Sequence, residues 1–222
     1  MVLVPASSEL MGSATGPPDE QPVHEVALRS FYIDKLETSV SQYELFIWAT
    51  GHRRPESKEV GAPSQWVGRT SRSDAHHFPV VHVSWHDARE FSQWAGKSLP
   101  TEAQWERAAR GSVPADPSRS SRSLASVYSY PSALSLVGCQ NMLGNVAEWC
   151  RDWYDSGYHS QSEIEEPLGP ASGELRVVRG GSSETPIEQL TWTRRAALKP
   201  TAQASTVGIR CVLNLPSREA RR

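Results

Sequence analysis

The fold can be inferred from one segment, Asn141-Met-Leu-Gly144-Asn-Val146-Ala-Glu148-Trp149-Cys-Arg-Asp-Trp153, called the hub below. It combines Asn and Gly turn residues, a carboxylate between apolar neighbours and two tryptophans. Gly and Asn are the residues that accept unusual backbone angles, and each large aromatic side chain can bury a large apolar area. The segment therefore predicts a rigid hub of irregular backbone, with Trp149 and Trp153 filling the core beneath it.

Three segments before this hub carry the same signals for a short helix. Each begins with a hydroxyl residue that can cap a free backbone N–H, has a polar residue three positions later, and ends near a glycine. The predicted spans are Ser39 to Gly51, Ser84 to Gly96 and Thr101 to Gly111. The side chains expected to face the core are Tyr43, Phe46, Ile47, Ala88, Phe91, Trp94, Trp105, Ala108 and Ala109.

The remainder of the chain predicts short strands broken by Gly, Pro and Asn. Alternating or continuous apolar runs place strands at Met1 to Val4, Val23 to Leu28, Phe31 to Lys35, Val80 to Val83 and Val207 to Leu213. Residues 112–135 are rich in Ser, Pro and Arg and predict a surface loop. With no internal repeat or composition shift, we expect one domain over residues 1–213 and a polar tail over residues 214–222.

Composition excludes several classes of protein. The 222 residues carry a net charge of −2, and the basic residues are scattered, which is not the pattern of a nucleic-acid surface. Three cysteines, at 139, 150 and 211, cannot all pair and lack metal-ligand spacing, so we expect a reducing, cytoplasmic compartment. No apolar run is long enough to predict a membrane span or signal peptide, and we expect no membrane partner.

Seven ordered motifs together carry a family resemblance. They are Met1-Val-Leu-Val-Pro5, Phe31-Tyr-Ile-Asp34, Pro79-Val-Val-His-Val-Ser-Trp85, Trp94-Ala-Gly-Lys-Ser-Leu-Pro-Thr-Glu102, Gly144-Asn-Val-Ala-Glu-Trp149, Val178-Arg-Gly-Gly-Ser182 and Gly208-Ile-Arg-Cys211. The chain resembles the formylglycine-generating-enzyme, or sulfatase-modifying factor, domain family over nearly its whole length. The resemblance implies a single compact α+β domain related to the C-type-lectin fold, with low regular secondary structure, three short helices and short antiparallel strands.

The resemblance also predicts that the family's copper chemistry is missing. Oxidase members hold copper with two cysteines that follow the Gly-Gly-Ser motif, and Thr185 and Leu190 stand at those positions here. Soft thiolates select Cu(I), whereas these two side chains cannot bind it, so no copper is expected. Cys211 matches a structural cysteine of the family, whose usual disulfide partner is replaced by Ser92.

A calcium site is implied at the hub. In relatives the ion is bound by an Asn side chain, two alternate main-chain carbonyls and a Glu, which correspond here to Asn141, Gly144, Val146 and Glu148. Hard oxygen donors suit calcium, and alternate carbonyls of extended backbone point the same way. The alternative is that Glu148 pairs with an arginine and the loop holds itself. In the family a second calcium site normally lies in the region that residues 112–135 occupy here. This region does not match the family, so the second site is not expected.

Other catalytic interpretations have less support. His82 and His86 are four residues apart, but the predicted start of a helix at Ser84 separates them, so surface or hydrogen-bonded imidazoles are favoured over an iron site. No G-x-S-x-G elbow occurs, and Gly180-Gly181-Ser182 lacks the Lys and helix of a phosphate loop.

Loss of catalysis leaves the segment after the glycines as a candidate ligand surface. An aromatic side chain among adaptable polar groups favours recognition, and the candidate residues are Ser183, Glu184, Thr185, Pro186, Glu188, Gln189 and Trp192. We expect a noncatalytic module that binds a protein or peptide, either a sensor or docking domain of a bacterial signalling or defence system or a variable ligand-display protein. The alternatives are an eroded active-site loop and a metal-dependent enzyme that uses the groove without the cysteines.

Overall fold

The computed structural model describes residues 1–57, 64–114 and 123–216. Its three α-helices lie where the sequence predicts them, at Val40–Thr50 (α1), Trp85–Trp94 (α2) and Glu102–Ala109 (α3). In each helix the predicted hydroxyl residue, Ser39, Ser84 or Thr101, accepts the N–H of the residue three positions later, whose side chain accepts the cap's own N–H. Three reciprocal capping boxes therefore fix where the helices begin.

The side chains predicted to face the core from these helices are buried, with one exception. Trp94 lies on the same side of α2 as Phe91, but 42% of it is exposed. As the last residue of α2 it lies at the surface, with its ring 5.7 Å from that of Phe46. Trp94 therefore covers the edge of the core without entering it.

Eleven short strands accompany the helices within the described residues. They are Val2–Val4 (β1), Ser7–Met11 (β2), His24–Leu28 (β3), Phe31–Ile33 (β4), Trp66–Val67 (β5), Thr70–Ser71 (β6), Ala147–Trp153 (β7), Arg176–Arg179 (β8), Arg195–Leu198 (β9), Val207–Gly208 (β10) and Val212–Asn214 (β11). The largest sheet has the order β10-β7-β8-β9, and a second has the order β1-β4-β11. All strand pairs are antiparallel except β10 with β7. The α+β class with low regular secondary structure is confirmed.

Two strand predictions are wrong in part. Residues 80–83 form no strand, because His82 adopts a left-handed backbone with φ of 59° and interrupts the extended run. The run predicted at residues 207–213 is divided, since β10 pairs with β7 whereas β11 pairs with β4 in the other sheet. β11 extends to Asn214, one residue into the segment expected as a tail.

Two apolar clusters form the core on either side of the hub. One contains Trp149 with side chains of α1 and α2, and the other contains Trp105 of α3 with Met142 and side chains of β4. Trp149 and Trp105 are both fully buried. The prediction that Trp153 also fills the core is wrong in part, because this residue stands at the outer end of β7 and is only half-buried. The hub thus joins the two clusters.

The loop predicted over residues 112–135 is described only in part, since residues 115–122 lie outside the described ranges, as do residues 217–222 of the predicted tail. Its later part contacts the hub: the Ala125 N–H donates to Asn145 Oδ1 over 2.9 Å, and Val127 is buried. Among the described residues, no helix is both long and apolar enough to span a bilayer.

Candidate functional site

The loop at the start of the hub is irregular, as predicted, but its backbone is not extended. Asn141, Gly144 and Asn145 have φ of 59°, 95° and 61°, Val146 is buried, and β7 begins only at Ala147. The expectation of an extended segment whose alternate carbonyls point the same way is therefore wrong for this loop. Left-handed residues turn the chain sharply, which is why Asn and Gly occupy these positions.

Glu148 lies fully buried at the start of β7, and its carboxylate is occupied by protein donors. Arg210 Nε donates to Oε1 and Oε2 over 3.0 Å each, and Arg210 Nη2 donates to Oε1 over 2.8 Å. The Trp105 indole N–H donates to Oε2 over 2.7 Å. Arg210 is fully buried and also donates to the carbonyls of Asp34 and Gln140. The pair joins β7, α3 and the segment between β10 and β11.

A second buried carboxylate, for which the sequence contains no clear signal, supports the hub loop. Glu37 accepts from Asn141 Nδ2 over 3.1 Å and from Asn145 Nδ2 over 2.8 Å. Burial raises the pKa of Glu37 to about 7, although the Arg210 guanidinium opposes the shift. Glu37 comes two residues before the helix cap Ser39, and nothing in that position distinguishes it from a surface glutamate.

These contacts bear on whether the predicted ligands fit a calcium ion. The Asn141 Oδ1 atom is buried and has no hydrogen-bond partner, which suits a cation ligand. The Glu148 carboxylate does not fit, because Arg210 and Trp105 donate to both of its oxygens. The arrangement is that of an arginine-paired Glu148 in a loop that holds itself. Calcium binding through the four predicted ligands stays a prediction.

The glycine-rich segment that follows β8 packs directly against the hub. The Gly144 N–H donates to the Gly180 carbonyl over 2.9 Å. A Cβ atom at Gly180, where φ is 92°, would lie 2.8 Å from the Met142 carbonyl oxygen and 3.0 Å from the Trp105 ring. Both the backbone angle and the close approach require glycine. The segment is a structural turn, as expected.

Thr185 and Leu190, which the family resemblance places at the positions of the copper-binding cysteines, converge on Gly181. A Cβ atom at Gly181 would lie 3.2 Å from Thr185 Oγ1 and 2.5 Å from Leu190 Cδ2. The Thr185 hydroxyl accepts the Ser182 N–H over 3.0 Å, and Leu190 is half-buried against the apolar core. A hydrogen-bonded turn and an aliphatic side chain therefore fill this place, and neither presents a soft metal ligand.

The candidate ligand surface is the outer side of this segment. Its backbone turns at the short 3-10 helix Ile187–Gln189. Trp192 is 37% exposed. One aromatic side chain and two carboxylates lie on the same short segment. The structure places Ser183 and Thr185 half-buried, and the exposed candidates are Glu184, Pro186, Glu188, Gln189 and Trp192.

Beneath this surface lies a buried ion-pair network that no local sequence pattern reveals. Arg179 donates to Glu102 over 3.0 Å, to Glu106 over 2.5 Å, and to the carbonyls of Trp192 and Thr193 over 2.6 and 3.1 Å. Burial acts to raise the pKa of Glu102. The guanidiniums of Arg195 and Arg179 outweigh burial and hold that pKa below its ordinary value. Arg179 belongs to a recognisable motif, yet its partners on α3 are visible only in three dimensions.

The remaining candidate groups are dispersed. Over residues 1–57, 64–114 and 123–216, no group of three or more His, Cys, Asp or Glu side chains is placed to hold a metal ion. The three cysteines are free and buried. Burial raises the pKa of Cys150 and Cys211 well above the ordinary thiol value, which keeps them protonated and poor nucleophiles.

Comparison with known proteins identifies the family of this chain. Residues 1–120 and 112–215 match the model of the "Sulfatase-modifying factor enzyme 1-like domain". Serine/threonine-protein kinase pkn1 of Chlamydia pneumoniae is 35% identical over 97% of this chain, which spans 38% of that relative's length. Formylglycine-generating enzyme of Streptomyces coelicolor is 32% identical over 95% of this chain and 88% of the enzyme.

Among solved structures, PvdO from Pseudomonas aeruginosa superposes with a TM-score of 0.82 at 21% identity, covering 96% of this chain and 93% of PvdO. This likeness shows the fold. The Major Tropism Determinant U1 variant superposes on 83% of this chain with a TM-score of 0.51 at 15% identity, which confirms the related C-type-lectin-like architecture. The ordered motifs, the family match over both halves and the relatives above 30% identity agree. The chain belongs to the sulfatase-modifying factor, or formylglycine-generating-enzyme-like, domain family.

Proposed function

We propose that this domain is a noncatalytic binding module, and that it recognises a protein or peptide through the surface formed by residues 183–192. The observation that carries the proposal is the filling of the cysteine positions. Thr185 is held in a turn by the Ser182 N–H, and Leu190 packs over Gly181. Neither side chain can bind Cu(I) or take part in thiol oxidation.

The rigid support of the surface favours recognition over an eroded loop. Arg179 fixes the carbonyls of Trp192 and Thr193, and its own guanidinium is held by two buried glutamates of α3. A surface that is already ordered loses little conformational entropy when it binds. Trp192 would act as the aromatic anchor, with polar groups around it.

The chemistry of the surface indicates the partner. Glu184 and Glu188 are exposed, and no ion pair involves either of them within the described part of the chain. Carboxylates beside an aromatic side chain favour a segment that carries Lys or Arg together with an apolar residue. We propose such a basic, apolar peptide segment of a partner protein as the ligand.

A role as a docking or sensor domain is favoured by the kinase relatives. The chain matches only 38% of the length of pkn1, so that relative contains a matching domain and a longer remainder within one protein. A noncatalytic domain beside another activity would serve to bring a partner to it. We extend this role to the present chain as part of the proposal.

Selection from a displayed peptide library tests the binding surface. We expect wild-type protein to enrich peptides with basic and apolar residues, and we expect these peptides to lose binding to the triple variant Glu184→Lys, Glu188→Lys, Trp192→Ala. Trp48→Ala is the matched control, because Trp48 is 62% exposed on α1 and lies outside the surface. Peptides that bind the triple variant as well as wild type would exclude this surface as the site.

A further inference from the structure

A cleft lies at the opposite end of β8 from the candidate ligand surface. β8 runs from Arg176 to Arg179, and the ligand surface follows its carboxyl end, whereas the cleft is lined at its amino end. The cleft has a volume of about 600 Å³, within the range of small-molecule sites. Its polar lining includes three arginines, Arg89, Arg151 and Arg176.

Arg176 is the most constrained of these arginines. Its guanidinium carbon lies 3.8 Å from the centre of the Trp85 ring and 3.4 Å from that of Trp153. Nη1 donates to the Arg151 carbonyl over 2.6 Å, while the buried Nε has no hydrogen-bond partner. Stacking on two indoles fixes the plane of the guanidinium without consuming its donors, which leaves it oriented for an acceptor.

The other two arginines extend the positive charge to the mouth of the cleft. Arg89 on α2 and Arg151 on β7 are both exposed, and Arg89 lies 5.8 Å from the centre of the Trp85 ring. Within the described residues, neither guanidinium forms an ion pair. Desolvation, together with the charges of Arg89 and Arg151, lowers the pKa of Arg176 to about 10, so it remains protonated near neutral pH.

No carboxylate among the described residues lines the cleft to balance this charge. The acidic group that acts on Arg176 is Asp152, whose side chain is buried and accepts the Glu102 N–H over 2.9 Å. Three guanidiniums that line one cleft with no carboxylate among its lining residues repel one another, and a bound anion would offset that repulsion. Part of the wall of the cleft is apolar, with Leu168 and Pro170.

We propose that this cleft binds a small organic phosphate ester, with the phosphate between the three arginines and its organic part against the apolar wall. Guanidinium forks match the geometry of phosphate oxygens, and a dianion offsets more of this charge than a monocarboxylate does. The volume accommodates a small organic molecule in addition to the phosphate. The site is independent of the proposed peptide surface, since the two lie at opposite ends of β8.

Isothermal titration calorimetry with phenyl phosphate at low salt tests the site. We expect saturable one-to-one binding, and we expect Arg89→Gln and Arg151→Gln each to weaken it about tenfold, as loss of one charge-assisted contact does. Both arginines are exposed, so these variants should fold normally. Arg69→Gln, at an exposed arginine in the turn between β5 and β6, should bind as wild type does.

Two further probes test the class of ligand. Benzoate carries the same ring with a single negative charge, and inorganic phosphate carries the dianion without a ring. We expect both to bind more weakly than phenyl phosphate. Absence of saturation by phenyl phosphate, or equal affinity in the Arg89 and Arg151 variants, would overturn the site. Benzoate binding as tightly would overturn the dianion, and inorganic phosphate binding as tightly would overturn the role of the apolar wall.

Discussion

Replacement of Glu148 by Gln should strongly destabilise the domain. The substitution keeps the shape of the side chain but removes the charge that faces the fully buried Arg210. Arg210 would keep the carbonyls of Asp34 and Gln140 and at most one neutral amide oxygen as acceptors, and either Arg210 or the Trp105 N–H would face an amide NH2 group in place of a carboxylate oxygen. Removing one partner of a buried ion pair typically costs about 3–5 kcal/mol, because the other charge stays buried without compensation.

Chemical and thermal unfolding followed by tryptophan fluorescence measure this loss. For a chain of this size, each kcal/mol lowers the melting temperature by about 2–4 °C, so Glu148→Gln should melt roughly 6–20 °C below wild type. The double variant Glu148→Gln, Arg210→Met should lose less stability than the sum of the two single changes, since the two side chains interact directly. Asp74→Asn, which breaks an ion pair between exposed side chains, is the control and should melt with wild type.

A Glu148→Gln variant as stable as wild type would show that this explanation is wrong. So would single effects that simply add in the double variant, because additivity indicates that the two residues stabilise the fold independently. Either result would mean that the hub is held by something other than this pair.

Three other perturbations test the buried charges and the ligand surface. Calcium at a hundred times its dissociation constant should raise the free energy of unfolding by about 2.7 kcal/mol relative to chelator if the predicted site forms, and identical transitions would show that Glu148 serves Arg210 alone. Burial raises the pKa of Asp152 to about 7, so this group binds more protons in the folded than in the unfolded state above pH 4, and its contribution to the free energy of unfolding should fall as pH rises from 4 to 8. Asp152→Asn should make the fall in the free energy of unfolding between pH 4 and 8 smaller by roughly 4 kcal/mol at most. An equally steep dependence of that free energy on pH in the variant would contradict the raised pKa of Asp152. Arg179→Met should lower peptide binding and stability together, whereas Trp192→Ala should lower peptide binding alone, as equilibrium titration and unfolding can distinguish.

Local signals in the sequence are sufficient for the helices but not for the strands. Ser39, Ser84 and Thr101 cap their helices through neighbours three residues away, so the information lies within one turn. The predicted strand over residues 80–83 fails because His82 turns the backbone left-handed, and the N–H groups of residues 80 and 82 bond separately to the carbonyls of Thr38 and Ala204. Short strands with few ladder bonds depend on such tertiary contacts more than on propensity.

The same limit applies to the charged groups. Glu148 can be recognised as buried because apolar residues flank it, but its sequence context cannot choose between calcium and an arginine as its partner. Arg210 is 62 residues away in the chain. Glu37 and the arginines of the cleft look like ordinary surface residues in sequence, and the motif that contains Arg179 does not reveal its partners. Only the tertiary packing gives these residues their roles.

The proposed loss of copper-dependent oxidation can be tested by exposing the protein to a Cys-x-Pro-x-Arg peptide with copper and oxygen. Mass spectrometry of the peptide reports whether its cysteine has become formylglycine. Because the resemblance places Thr185 and Leu190 at the positions of the two metal-binding cysteines, we predict unmodified peptide. Catalytic formation of the aldehyde would contradict a noncatalytic binding role.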